Sequence, residues 1–289
     1  MNKNRWVYFV GILLLSFSHI CVAKDFSKLY TTEQLIRVQN VYGKNIYGVL
    51  FSDIPPYLTV AERITLSTVH LKIPLYTEDR SLFHFSMNND TGVMTIPALS
   101  IKFFDDLAIA FAWYDRFKLD SENIRMYFQR LYTENDFFEP PLRYLNVPDK
   151  AWEQDAFVDD VSQKTLKSGI AFLLLHELGH WQHKHSRYSE ISNSRAQNQE
   201  KQADAFALDI MKRMSTPPYG MVLWFMVTGL LGGDQAITHP LSSDRLNSIA
   251  FILEQNPGAF ISLDNKKNLD KNDIKKVALE IRNIAAQLR

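Results

Sequence analysis

His176-Glu177-Leu178-Gly179-His180 carries the residue types of a metal-dependent hydrolase at the spacing that chemistry needs. On a helix, positions 176 and 180 lie one turn apart on one face, so both imidazoles can reach a single ion. Glu177 falls about 100° round from His176, where its carboxylate meets a water at the ion rather than the ion itself. A catalytic zinc takes three protein ligands and keeps a fourth position open. The third ligand must come from further along the chain, because the same turn of helix has no room for it. Gln199-Glu200-Lys201-Gln202-Ala203-Asp204 is the best source. Glu200 and Asp204 are again one turn apart. Glu200 is expected to bind the metal, and Asp204 to accept a hydrogen bond from a ligand imidazole and fix its tautomer. One zinc ion per chain is the implied cofactor.

The other histidines divide by setting. His183 and His185 follow the motif but fall off the 176/180 face beside Lys184 and Arg187, and read as surface or supporting residues. His70 and His84 have no metal-like spacing and read as structural. His239, in Thr238-His239-Pro240, precedes a helix carrying Arg245. Three roles are open to it: a fourth ligand that holds the enzyme latent, a donor to the oxyanion, or a packing residue. Tyr219 and Arg245 are alternative oxyanion donors, a role typically worth about 3 kcal/mol. Glu177 is expected to act as general base, taking a proton from the attacking water and passing it to the leaving amine.

Three segments in order strengthen the reading. They are His176 through His185, Glu200-Lys201-Gln202-Ala203-Asp204-Ala205-Phe206-Ala207, and Thr238-His239-Pro240 with Arg245. Together, over about residues 168–253, they resemble the HtpX/CAAX-prenyl-protease family of gluzincin metallopeptidases, whose soluble members include periplasmic, Oma-like quality-control proteases. The resemblance implies a zinc endopeptidase of protein or peptide substrates, with His176, His180 and Glu200 as ligands and Glu177 as base. The family's His-Pro motif falls on His239 and Pro240, and its arginine on Arg245. Phage-exclusion Lit-type peptidases also combine HExxH with a later acidic ligand, and are the alternative family.

These residues need a scaffold, and its pattern is visible. Ile170 to Leu175 is apolar almost all round, as suits a helix buried on every side. Helices are expected at about 32–42, 98–117, 121–132, 159–185, 196–214, 218–231, 240–255 and 270–288. Ile46 to Phe51 and Arg63 to Leu75 read as strands from their β-branched and aromatic content. Leu82 to Ser86 and Val93 to Ile96 flank the turn-rich Asn88-Asn89-Asp90-Thr91-Gly92 and read as a hairpin. The expected fold is an α+β zincin-like domain, a small N-terminal sheet followed by a mostly helical catalytic region. Residues 24–150 are expected to form an N-terminal α+β region of unassigned role, and 151–289 the metallopeptidase region, the two sharing one compact domain.

The chain as a whole sets outer bounds. At 46% hydrophobic and no net formal charge it has ample core and no electrostatic footprint for nucleic acid. Residues 1–23 have the layout of a secretory signal peptide: Lys3 and Arg5, an apolar stretch from Trp6 to Phe17, then Cys21-Val22-Ala23 before Lys24. Export to the periplasm is expected, with an uncleaved N-terminal anchor as the alternative. Cleavage removes the only cysteine, which excludes a thiolate metal site. Met221 to Leu231 is very apolar but too short to span a bilayer. It reads as a buried helix, with a groove wall or a peripheral membrane contact as the alternative. Two rival functions remain: a non-proteolytic zinc-binding or chaperone-like envelope protein, and a regulatory peptidase of the Lit type. A purely structural zinc has no use for Glu177, which opposes the first; the signal-like start opposes the second.

Overall fold

The structure, a computed structural model, describes residues 24–230, 241–261 and 270–288. The proposed signal segment and His239 with its flanks lie outside the described residues. The chain enters at Lys24, whose ammonium donates to the carbonyls of Leu131, Glu134 and Phe137, each at 2.7 Å. Helix α1 (Thr32–Gly48) opens on a reciprocal capping box between Thr31 and Gln34. It continues directly into a π-turn at Val49–Asp53. The strand expected at 46–51 is therefore helix. Ile46, Leu50 and Ile54 are all buried, at the four-residue spacing of a helix face, and that packing overrides their strand propensity. Helix α2 (Val60–Leu66), capped by Thr59 and Glu62, takes the start of the second expected strand, of which only β1 (His70–Lys72) is strand.

The hairpin is present. β2 (Ser86–Asn88) and β3 (Val93–Thr95) pair antiparallel, and β1 adds to β3 in parallel, giving the order β1-β3-β2. Asn88 Oδ1 accepts from the amides of Asp90 and Thr91, which closes the turn. Leu82 and Phe85, expected in the first strand, are buried core residues just before it. The sheet is thus embedded among helices and does not precede them as a block.

From α3 (Ala98–Phe117) onward the chain is helical: α4 (Glu122–Thr133), the short α5 (Pro141–Tyr144) and α6 (Ala151–Gln154), then α7 (Ala156–Gln182), α8 (Asn193–Arg213), α9 (Tyr219–Leu230), α10 (Ser243–Gln255) and α11 (Lys271–Gln287). The expected helices after residue 97 all form, with ends shifted by a few residues. The architecture is mixed α+β and mostly helical. One hydrophobic core runs through it from Phe26 to Ala285, so residues 24–150 and 151–289 share a single interior among the described residues.

Helix α7 lies at the centre of that core, flanked by α3, α8 and α9. It starts where Asp155 accepts from the amides of Phe157 and Val158. Every residue from Ser168 to His180 is buried, as the all-apolar run predicts. Helix α9 is a core helix, with Met221, Leu223, Phe225 and Val227 buried. It crosses α7 where two glycines face each other: a Cβ on Gly220 would overlap the Thr165 carbonyl oxygen, and one on Gly169 would strike the Phe104 ring. Among the described residues no helix is long and apolar enough to cross a membrane.

Candidate metal centre

The glycine inside the motif determines how near the second helix can come. Gly179 faces α8, and a Cβ there would lie 3.0 Å from Ala203 Cα, at the lower limit of real contacts. This close crossing places Glu200 and Asp204, on either side of Ala203, over the imidazoles of α7. Helix α10 adds the last element. Its cap, Ser242, accepts from the amide of Arg245 and starts the helix in the turn that carries that guanidinium inward.

Three side chains converge. His176 Nε2 lies 3.0 Å from His180 Nε2 and 3.4 Å from Glu200 Oε2, and His180 Nε2 lies 3.1 Å from Glu200 Oε1. Zinc in a tetrahedral site, with bonds of about 2.0–2.1 Å, separates its ligand atoms by about 3.3 Å. The triangle therefore fits a metal ion, and all three residues are buried. Glu177 is buried beside them, and its charge acts on both His180 and Tyr188.

The surroundings hold this triangle in one state. Asp204 Oδ1 lies 2.8 Å from His176 Nδ1 and accepts its hydrogen, which turns His176 Nε2 toward the centre as the nitrogen a metal would take. Arg245 grips Asp204 with two N–H groups, at 2.5 and 2.8 Å, and reaches Glu200 Oε2 with Nη1 at 2.7 Å. Arg245 is thus occupied by two carboxylates and is not aimed at a substrate oxyanion. Tyr188 donates its hydroxyl to Glu200 Oε1. With the imidazoles in the neutral form that a metal requires, the buried carboxylates outnumber the buried cation: Glu177, Glu200 and Asp204 stand against Arg245. A divalent ion would balance the two excess negative charges.

The same excess charge shifts the proton equilibria. Burial pulls the His176 imidazole down, but Glu200 and Asp204 outweigh it and push the group up to about 10. His180 goes the other way, lowered by burial despite Glu200. Burial raises Asp204, yet Arg245 and the hydrogen bond from His176 bring it below the ordinary carboxylate range. His185 is pushed down to about 4 by burial and by His180.

Not every expected residue is here. His239 lies outside the described residues. Burial raises the Tyr219 hydroxyl, and the charges of Asp273 and Asp270, on the last helix and its cap, act on it in the same direction. His183 is exposed, as expected, whereas His185 is buried against His180. His84 is held by Asp79 and Ser86, away from the metal cluster. Tyr188 was not visible as a site residue, because it sits on a short 3-10 turn (Tyr188–Glu190) outside any helical register with the motif.

A buried His-His-carboxylate triangle, with a further glutamate next to the first histidine, defines a candidate hydrolytic metal site on a helical α+β scaffold. Residues 126–258, which contain every one of these side chains, match the family model described as Peptidase U49. No curated protein and no solved structure matches the chain. The similarity is thus to a peptidase family, and to the U49, Lit-type branch rather than HtpX/CAAX. HExxH with an acidic ligand on the next helix is common to both branches, so these motifs could not separate them.

Proposed function

We propose that this chain is a zinc-dependent endopeptidase that hydrolyses peptide bonds of protein substrates. The buried triangle of His176, His180 and Glu200 with Glu177 beside it carries this reading, and the peptidase-family match over residues 126–258 supports it. When bound, zinc would polarise the scissile carbonyl and lower the pKa of an attacking water. His176, His180 and Glu200 would hold it. Glu177 takes the proton from the attacking water and returns it to the leaving amine. Asp204 fixes the His176 tautomer, and Arg245 pairs with both Asp204 and Glu200 at depth. His239 is retained as the oxyanion donor or latency ligand, in keeping with its place just before the helix of Arg245.

The metal and the His176 proton compete for one nitrogen. In the metal-free protein that imidazole is charged up to about pH 10. A ligand histidine must be neutral, so at pH 7 binding should release about one proton from it. Zinc affinity should therefore rise about tenfold per pH unit from pH 6 to 9. Calorimetry in buffers of different ionisation enthalpy, with elemental analysis, measures both effects. The expected result is one zinc per chain, lost in His176→Ala and Glu200→Ala. Full zinc retention in either variant, or binding with no proton release, would count against the site.

We further propose that the protein is exported and begins at Lys24. The basic start, apolar stretch and Cys21-Val22-Ala23 support export, and Lys24 is itself anchored to three carbonyls. The U49 similarity favours a second reading, an intracellular regulatory peptidase. Cell fractionation with N-terminal sequencing separates them. Lys24 in the periplasm is the expected outcome, and an intact Met1 in the cytosol would replace export with the second reading.

A further inference from the structure

Of the two histidines in the triangle, His176 has a carboxylate, Asp204, at its Nδ1. His180 faces a second imidazole: its Nδ1 lies 2.8 Å from Nδ1 of His185. His185 Nε2 in turn lies 2.9 Å from the side-chain oxygen of Gln202. We propose that His185 and Gln202 form a relay that holds His180 in the one tautomer able to bind a metal, with His185 as a positioning residue. This inference rests on the metallopeptidase reading of the same site.

Hydrogen accounting carries the argument. An amide oxygen can only accept, so His185 Nε2 bears a hydrogen and donates it to Gln202. A neutral imidazole has one N–H, so His185 Nδ1 is bare. Two ring nitrogens 2.8 Å apart share one hydrogen, which must then belong to His180 Nδ1. His180 Nε2, the atom that faces His176 Nε2 and Glu200, is then the one left bare once a metal displaces the hydrogen that Glu200 Oε1, at 3.1 Å, would otherwise accept from it. Turning the amide over would reverse every step. Its NH₂ would donate to His185, His185 would donate to His180, and a hydrogen would end on Nε2 where the metal must bind. The orientation of one amide, two rings away, thus decides whether His180 is a ligand.

The chain goes to some length to bring His185 there. Directly after α7, Lys184 takes a left-handed conformation with φ 52°, and the His185 amide donates back to the His180 carbonyl at 3.1 Å. This tight reversal turns the His185 ring under the last turn of the helix, where it is buried. Its backbone is then fastened from both sides. Asn89 in the β2–β3 turn donates to the His185 carbonyl at 2.9 Å, and Gln199 on α8 donates to the Ser186 carbonyl at 3.0 Å. Arg187 pairs with Asp90 of the same turn. Gln202 sits between Glu200 and Asp204 in sequence, so one helix supplies the third ligand and both tautomer controls.

The test uses the full mature chain and zinc itself, with affinity read by competition against a chromogenic chelator. His185→Leu is expected to weaken zinc binding 10- to 100-fold, and Gln202→Met to weaken it in the same direction. Gln202→Glu still accepts a hydrogen and should keep near wild-type affinity while the similarly sized Gln202→Met does not, a contrast that a packing role would not produce. Long-range ¹H–¹⁵N spectra of the wild type should show the His180 hydrogen on Nδ1. A hydrogen on Nε2, or unchanged zinc affinity in folded His185→Leu, would overturn the relay and leave the metallopeptidase reading standing. A wild type that binds no zinc yet keeps the hydrogen on Nδ1 would do the reverse. Should His185→Leu fail to fold, the wild-type spectra and the two Gln202 variants decide.

Discussion

Glu177→Gln should keep its fold and its zinc and lose nearly all peptide hydrolysis, by a factor of about 10²–10⁴. The separation follows from position. His176, His180 and Glu200 turn their ligand atoms on one another within a few ångströms, and Glu177, one residue further along α7, belongs to the same buried pocket without being part of that triangle. The amide keeps the size and polarity of the side chain but cannot take a proton from water. A fall in kcat with unchanged metal content would place the loss in the chemical step. Comparing the exported proteins of wild-type and Glu177→Gln cells would also reveal substrates, which should accumulate uncut in the variant. Substantial cleavage by Glu177→Gln would remove either the protease reading or the assignment of this base.

Arg245→Met should cost the metal-free protein about 3–5 kcal/mol, the penalty for leaving buried charges without their partner. Arg245 is 4% exposed at its side chain and contacts Glu200, 0% exposed, and Asp204, 2% exposed. Nε, Nη1 and Nη2 of one guanidinium all serve these two carboxylates, and methionine offers no donor in their place. Arg245→Lys keeps the charge but not the planar fork, so an intermediate loss is expected. Urea unfolding of the metal-free proteins gives the comparison. A loss below about 1 kcal/mol in Arg245→Met would show that the cluster reorganises or takes up protons instead. Adding zinc should recover part of the loss, because the ion supplies positive charge to the same carboxylates.

What could be read from residues alone follows from periodicity. His176 with His180, and Glu200 with Asp204, sit at the four-residue interval that defines a helix face, so their convergence needs only two helices in contact. Even the hydrogen bond from His176 to Asp204 was foreseeable, since a ligand imidazole requires such an acceptor. His185 could be read no more closely than as a surface or supporting residue, and Tyr188 not at all, because their placement depends on a left-handed residue and a short 3-10 turn, neither of which has a repeating signature. The segment 46–51 misled for a different reason. Its β-branched residues have strand propensity, but Ile46, Leu50 and Ile54 bury one helical stripe and burial prevailed. The family branch was ambiguous on the motifs, because both candidate families share the helix-borne ligand pattern.

The crossing of α7 and α9 has a mechanical side. Where Gly169 and Gly220 face each other the two backbones touch, and the Gly220 amide donates to Ser168 Oγ at 2.9 Å. With no side chains between them the backbones block sliding, so any tilt of α9 would have to pivot at this contact and work against the Phe172–Phe225 ring contact further along. The crossing is therefore a fulcrum. Gly220 is near the start of α9, and the ten residues to Leu230 form an arm of about 15 Å. A rotation of about 10° at the glycines would carry the far end through about 2.6 Å, while Gly169 stays in place two turns below His176. Any force on the distal end of α9 would thus be felt as tilt, with the metal-bearing turn of α7 left near the axis of rotation.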